Sequence, residues 1–441
     1  MNIYLVLFAL YVLAPKIDLY AIGAAAIRPE DLISAFAFFI YIVTARRRLS
    51  IPIYARAYII FIGFGLLTAV INIAQGGLVG IVYGLRLAQY MTWFFIIYEA
   101  APRLSTRALR TALLIVCGVF IIWGGAEYFG VIGRIGKFAG ASQRLTINTS
   151  GPFETSAMLA MLAYAAPALW LTPFMIVLIF MTQARVTLLG ILVSFAAARP
   201  GRTMAVGFAG AVVATIAAQP LYTAISKSRL GESETPLAMG SLLKYTWKRV
   251  PTVPRPSYYR ERFLNGILIY RYMPNTRGDL SFKYRAVRWP IIIKSTAATW
   301  VTLFVGWGPG AWSNAVDGYY VRVFGETGLI GVFLFLGWIV VSLRSLKQRS
   351  IGKFSLVMLA VAAVFIDIFS SSKVMPILWA FLALEHAGHP FAFRQAKALF
   401  RRGKRRLPAP HPTRVGMAAG VGPEAGPQAG PRVGAPSYRP S

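Results

Sequence analysis

A membrane-spanning bundle of α-helices is the fold class this sequence predicts, and two observations carry the expectation. The 441 residues are 57% hydrophobic, with a mean hydropathy of +0.59. Apolar runs this numerous exceed what a soluble core can enclose. The runs are also punctuated by cations: the net charge is +31, and many of its Lys and Arg flank apolar segments. In a soluble protein such a charge points to nucleic acid; here it sets topology or meets anionic lipid, so nucleic acid is not expected as a partner.

Taken in order, residues 3–14 form the first apolar run, followed by Lys16, Asp18 and a further apolar patch to Ile27. The run is expected to stay as an anchor rather than be cleaved as a leader. Residues 31–44 form the second span, closed by Arg46, Arg47 and Arg48, which mark the cytoplasmic side. Residues 53–73 lead out, Gln75-Gly76-Gly77 is read as the turn, and 78–98 return. Arg103, Arg107 and Arg110 lie in the next inner loop, 112–129 is the fifth span, and 130–156 is a polar outer loop. Residues 158–181 fit one span or two short ones broken near Trp170-Leu171-Thr172-Pro173. Two spans place Arg199, Arg202, Arg344, Lys347 and Arg349 all in the cytoplasm, so charge selects two.

Residues 204–218 cross again. From 221 to 300 no run reaches span length, which predicts one large extracytoplasmic loop. Between Lys227 and Lys294 it holds 14 Lys/Arg against four acids, with aromatics interleaved. Cations placed against the positive-inside bias suggest an anionic ligand, and basic-aromatic mixtures suit phosphate pairing and sugar stacking. A Gly/Pro-rich segment, 306–318, then feeds the span from Leu329, and residues 354–369 and 374–384 close the bundle as a hairpin. The tail from Arg394 is basic, then Gly/Pro/Ala-rich, and cannot bury a core. The expectation is about 12 spans with both termini cytoplasmic. Organisation follows as 1–220 N-terminal helices, 221–305 basic loop, 306–392 motif segment with C-terminal helices, and 393–441 tail. No internal repeat stands out.

One cysteine, Cys117, and three histidines near the C-terminus leave no disulfide framework and no histidine metal cluster. Candidate chemistry therefore rests on arginines and carboxylates. Arg86, inside an apolar run, must face the bundle interior; it is either paired with a carboxylate such as Glu127 or Asp367, or ligates an anion. Arg185 lies at an outer helix junction, where a snorkelling flank is the alternative. Arg288 and Arg285 end the basic loop. Asp317 sits in a glycine-flanked turn beside Tyr319 and Tyr320, with Arg322 following, and an Asp-Gly turn is the alternative. Glu326, ahead of Thr327-Gly328, reads as a carboxylate stabilising a helix N-terminus.

The stretch GWGPGAWSNAVDGYYVRVFGETGLIG, residues 306–331, resembles the O-antigen polymerase and O-antigen ligase superfamily of envelope glycosyltransferases. Arg144 followed by Gly151-Pro152-Phe153, and Thr182-Gln183-Ala184-Arg185, are similar to the family's other two landmarks. Ala184 stands where a serine is common, and Glu154-Thr155-Ser156 where an asparagine-containing turn is usual. Ligases carry a histidine at the position of Asp317, and polymerases often an aspartate, so the resemblance points to a polymerase. It implies a GT-C-like bundle in the cell membrane, with a site facing the periplasmic or other extracytoplasmic side. It implies donor and acceptor glycans on polyprenyl diphosphate, a bilayer around the protein, and a chain-length regulator or flippase as candidate protein partners. Asp317, Arg288 and Arg185 would be catalytic; Arg86, Arg144, Arg285, Tyr319, Tyr320 and Arg322 would bind diphosphate or sugar. No metal or other cofactor is expected, since guanidinium groups can meet the departing diphosphate. A ligase acting on another acceptor is the alternative within the family. A transporter or flippase for an anionic solute is the alternative of another class, and it expects ionisable groups deep in paired discontinuous helices.

Overall fold

The computed structural model describes residues 2–22, 25–46, 50–133, 144–149, 151–168, 170–198, 236–259, 268–273, 280–312 and 316–393. The chain divides into a unit of residues 1–399 and a second of 400–441, which lies outside the described residues. So do the span expected at 204–218 and Arg199 and Arg202.

Among the described residues the protein is α-helical apart from one short ribbon. The N-terminal half holds α1 (Ile3–Leu13), β1 (Tyr20–Ile22), β2 (Ala25–Ile27), α2 (Pro29–Thr44), α3 (Ile53–Ile71), α4 (Ile73–Ala100) and α5 (Thr106–Tyr128). Then come α6 (Pro152–Ala165), α7 (Leu171–Met181) and α8 (Arg185–Ala198). Four helices, α3, α4, α5 and the later Tyr319–Ser345, are long and apolar enough to cross a membrane; five more apolar helices are shorter. Local chemistry sets several starts. Pro29 opens α2 with Glu30 and Asp31 in its first turn, and Arg28 N–H donates to the Asp31 carboxylate at 3.0 Å. Ser105 and Ser350 cap α5 and the helix Ile351–Ala362 by accepting from Ala108 and Lys353 N–H.

Several boundaries differ from the expected ones. The apolar patch ending at Ile27 is an antiparallel ribbon, Tyr20 opposite Ile27, not helix. The α3–α4 break falls at Asn72 and not at Gln75-Gly76-Gly77, which α4 runs through. Asn72 turns its amide back onto the Thr68 carbonyl at 2.9 Å, ending the helix locally. The break in 158–181 is real but lies upstream, between Ala165 and Leu171. Ala166 precedes Pro167 and takes ψ 129°, the extended conformation a following proline imposes. Pro173, in the first turn of α7, is tolerated there because it has no N–H to lose.

The basic segment is not a bare loop. It folds into α9 (Pro236–Arg249), α10 (Pro256–Tyr259), α11 (Leu268–Tyr272) and α12 (Leu280–Thr296), followed by α13 (Trp300–Val305). Val250, Val253, Tyr259, Ile291 and Ile292 bury against Trp312 and Val316, giving this subdomain a small core of its own. The expected boundary at 305 therefore falls inside a packed unit. The chain continues as α14 (Tyr319–Ser345), α15 (Ile351–Ala362), a 3₁₀ turn at Ile368–Ser370 and α16 (Val374–His386).

The main core is aromatic. Tyr58, Phe335, Trp338, Phe369 and Trp379 pack in tilted and edge-to-face pairs with ring centroids 4.8–6.2 Å apart, joining α3, α14 and α16. α16 also defines two ends. Next to its start, Ser371 donates to Glu154 and Lys373 Nζ donates to the Tyr11 carbonyl at 2.7 Å. Near its finish, Glu385 accepts from Lys347 N–H at 2.8 Å and His386 Nε2 lies 3.1 Å from the Ser50 carbonyl.

Candidate functional site

The segment 306–318 doubles back on α14. Gly306, Gly308 and Gly310 all have positive φ, 75°, 90° and 73°. At Gly306 a Cβ would lie 2.4 Å from the Glu326 carbonyl carbon, so the close approach needs glycine twice over. The approach is bonded: Trp307 N–H donates to the Gly325 carbonyl at 3.0 Å and Gly308 N–H to that of Glu326 at 2.8 Å. Those two carbonyls are available because Gly328, φ 64° and ψ −164°, interrupts α14 just beyond them.

Glu326 does not cap a helix start through its side chain. Its carboxylate accepts from Gly310 N–H at 2.8 Å and from Arg322 Nε at 3.0 Å. The turn that leads into α14 is held by Asp367, from the α15–α16 connection: its carboxylate accepts from Val316, Asp317 and Gly318 N–H at 2.7, 3.2 and 3.2 Å. Arg322, only 3% exposed, bridges the two acids, with NH1 3.6 Å from Asp367 and 3.4 Å from Ser370 Oγ. Asp317 adopts φ 59°, a conformation uncommon outside glycine. Arg285 Nε donates to its carbonyl at 3.2 Å, and Arg288 NH1 reaches its carboxylate at 3.4 Å. Burial raises the Asp317 pKa above the usual aspartate range; Arg285 and Arg288 oppose that, and Asp367 adds to it.

These groups face a cavity of about 330 Å³. Asp317, Tyr319, Arg322, Glu326 and Asp367 line one side of it. Cations from the N-terminal half line another: Lys16, Arg28 and Arg86, with Tyr83 and Tyr90 between. Each of these cations has a carboxylate. Lys16 Nζ sits 2.8 Å from both Glu154 oxygens, Arg28 Nε 2.7 Å from Asp18, and Arg86 NH2 3.5 Å from Asp31. Arg86 also donates to the Ala26 carbonyl of the ribbon, and Gln89 holds the other Asp31 oxygen at 2.9 Å. Its partner is thus Asp31, not Glu127 or Asp367. Glu127 instead accepts from Thr146 N–H at 2.8 Å.

The sequence candidates separate accordingly. Arg86, Asp317, Tyr319 and Arg322 line the cavity; Arg144, Arg185, Arg285, Arg288 and Tyr320 are outside its lining. Arg285 and Arg288 stand one layer back and hold Asp317. Arg144 Nε donates to the Thr182 carbonyl at 2.9 Å and stacks over Phe153 at 4.7 Å, tying 144–149 to the α7–α8 turn. Arg185 begins α8 beside that turn. Tyr320 OH donates to the Ala360 carbonyl at 2.9 Å. Missed as site residues were Lys16, Arg28, Glu154 and Asp367. Asp367 had a readable signal, a lone acid within an apolar stretch, and Lys16 and Arg28 bracket a segment too short to span. Lys373, also missed, is buried and caps the C-terminal carbonyls of α1, fixing the turn that presents Lys16. No family model matches the chain, and no curated protein matches it.

Proposed function

We propose that the chain is a multi-pass membrane glycosyltransferase that polymerises oligosaccharide units carried on polyprenyl diphosphate, with about 12 spans, both termini cytoplasmic and the cavity facing the extracytoplasmic side. The observation that carries the proposal is the meeting, in one cavity, of Lys16, Arg28, Asp317 and Arg322, from segments that charge bias assigns to one side, with Arg86 from within a span. The sequence resemblance centred on residues 306–331 supplies the reaction class. The growing glycan leaves its diphosphate as a hydroxyl of the next unit attacks the anomeric carbon; the C–O bond to the new sugar forms as the bond to diphosphate breaks. Guanidinium groups hold phosphate oxygens bidentately and remain charged, so Arg86 and Arg28 receive the departing diphosphate. In a water-poor cavity such preorganised charge lowers the barrier without reorganisation. Because these cations begin paired with Asp31 and Asp18, the diphosphate exchanges with internal carboxylates as it binds. Asp317 orients the acceptor hydroxyl and takes its proton; its raised pKa makes it a better base than an ordinary aspartate. Arg288 and Arg285 are positioning residues for Asp317, while Arg322 sets the turn that carries it.

Substitution tests this directly. Arg86→Ala and Arg288→Ala are each expected to abolish long glycan chains while the protein stays in the membrane at wild-type abundance. Wild-type chain lengths in both variants would refute the assignment.

A further inference from the structure

We propose that the packed helices α9 and α12 stand on an anionic phospholipid surface, through their basic and aromatic C-terminal ends. The level of the bilayer is marked by α13. Its Phe304 backbone lies against Gly328, where a Cβ would come within 2.4 Å of it, just before the apolar run of α14 from Leu329. At this level α13 exposes Trp300 (77%) and Val301 (67%), and α14 exposes Phe333 (72%). Exposed apolar side chains of this size, on and beside a helix long enough to span, belong in lipid.

Only residues 297–299 separate α13 from the end of α12, a reach of at most about 14 Å. The last turn of α12 carries Lys294, whose Nζ donates to the Val250 carbonyl at 3.0 Å and sits 5.7 Å from the Trp247 ring. α9 runs alongside in the same direction, Thr246 bonding the Ala286 carbonyl and Val250 meeting Lys294. Both helices therefore set their C-terminal ends down together beside α13. The α9 end presents exposed Lys244, Lys248 and Arg249, with Tyr245 and Trp247 also exposed at 40% and 43%. Arg249 stacks on Tyr245 at 4.0 Å. Helix C-termini attract cations through their dipoles, which accounts for charge there but not for two exposed aromatic rings beside it. Amphipathic rings and lysines at one depth are the pattern of a headgroup contact, and each basic group near an anionic leaflet strengthens it. The seat is independent of the chemistry assigned to the cavity.

Spin labels give the test. The full-length protein carries one native cysteine, Cys117, which is fully buried and does not compete for label. Lys248→Cys places a label at the seat. Gly240→Cys places one on the same helix roughly 12 Å away, at a position where an added side chain meets nothing within 4 Å. Collision with oxygen against a water-soluble nickel chelate then reads depth. In phosphatidylcholine vesicles containing phosphatidylglycerol, the label at 248 is expected at headgroup depth and that at 240 in water. Removing phosphatidylglycerol, or adding Lys244→Glu and Arg249→Glu, is expected to lift the label at 248 into water. Equal depth at 248 in both lipid mixtures would overturn the anionic seat. So would equal chelate access at 248 and 240 with phosphatidylglycerol present, or shielding of 248 by soluble dextran sulfate and not by lipid.

Discussion

Arg322 is where the fate of the whole turn is decided. With Glu326 and Asp367 at 3.0 and 3.6 Å and almost no exposure, its removal leaves two carboxylates facing each other without a counter-charge. Arg322→Ala is expected to cost on the order of 3–5 kcal/mol. Thermal unfolding in detergent checks this, and an unchanged midpoint would show that the acids do not depend on it. Asp317 makes a separate prediction about pH. Its raised pKa means the base is lost by protonation at a higher pH than an ordinary aspartate, so the acid limb of transfer should lie above about pH 4. The stability sign runs the other way: a carboxyl raised in the folded state favours folding below its unfolded pKa, and that contribution is lost as pH rises through the folded value. Asp317→Asn should abolish transfer at every pH and leave the protein folded. Rates with an acid limb at the ordinary aspartate value would remove Asp317 from the role. At this scale the sequence was a partial guide: it exposed Asp317 and Arg86 as residues needing a reason. It could not tell that Asp367, 50 residues beyond Asp317, holds the turn, because pairing across that distance is set only by packing.

Among the elements, α14 and the glycine turn act as one device. Gly306 and Gly328 both have positive φ and both leave less than 2.5 Å for a Cβ against backbone. Gly306→Ala and Gly328→Ala are each expected to destabilise by roughly 1–3 kcal/mol from conformation alone, more with the clash. Gly337→Ala, with nothing within 4 Å, should be neutral or stabilise by about 0.5–1 kcal/mol. Equal effects at all three positions would contradict this account of the turn. Apolar periodicity and charge made the helices readable, since length and hydropathy are local properties. The α6–α7 break was legible as well, though Pro167 and not Pro173 sets it. What stayed hidden was the ribbon at 20–27 and the packed basic subdomain. Neither has a strong local pattern, and the subdomain's core borrows Trp312 and Val316 from the next segment.

For the whole molecule, the claim is that internal ion pairs form a receptive cavity for a lipid-linked diphosphate, and that the protein extends glycans there unaided. One measurement addresses it most directly. Purified full-length protein in proteoliposomes is supplied with polyprenyl-diphosphate-linked oligosaccharide alone, and the products are resolved by size. A ladder of lengthening glycans on the lipid carrier is expected, absent with Asp317→Asn and Arg86→Ala. No ladder from folded wild-type protein, with glycan moving only when a different acceptor is added or lipid-linked units merely changing sides, would contradict it.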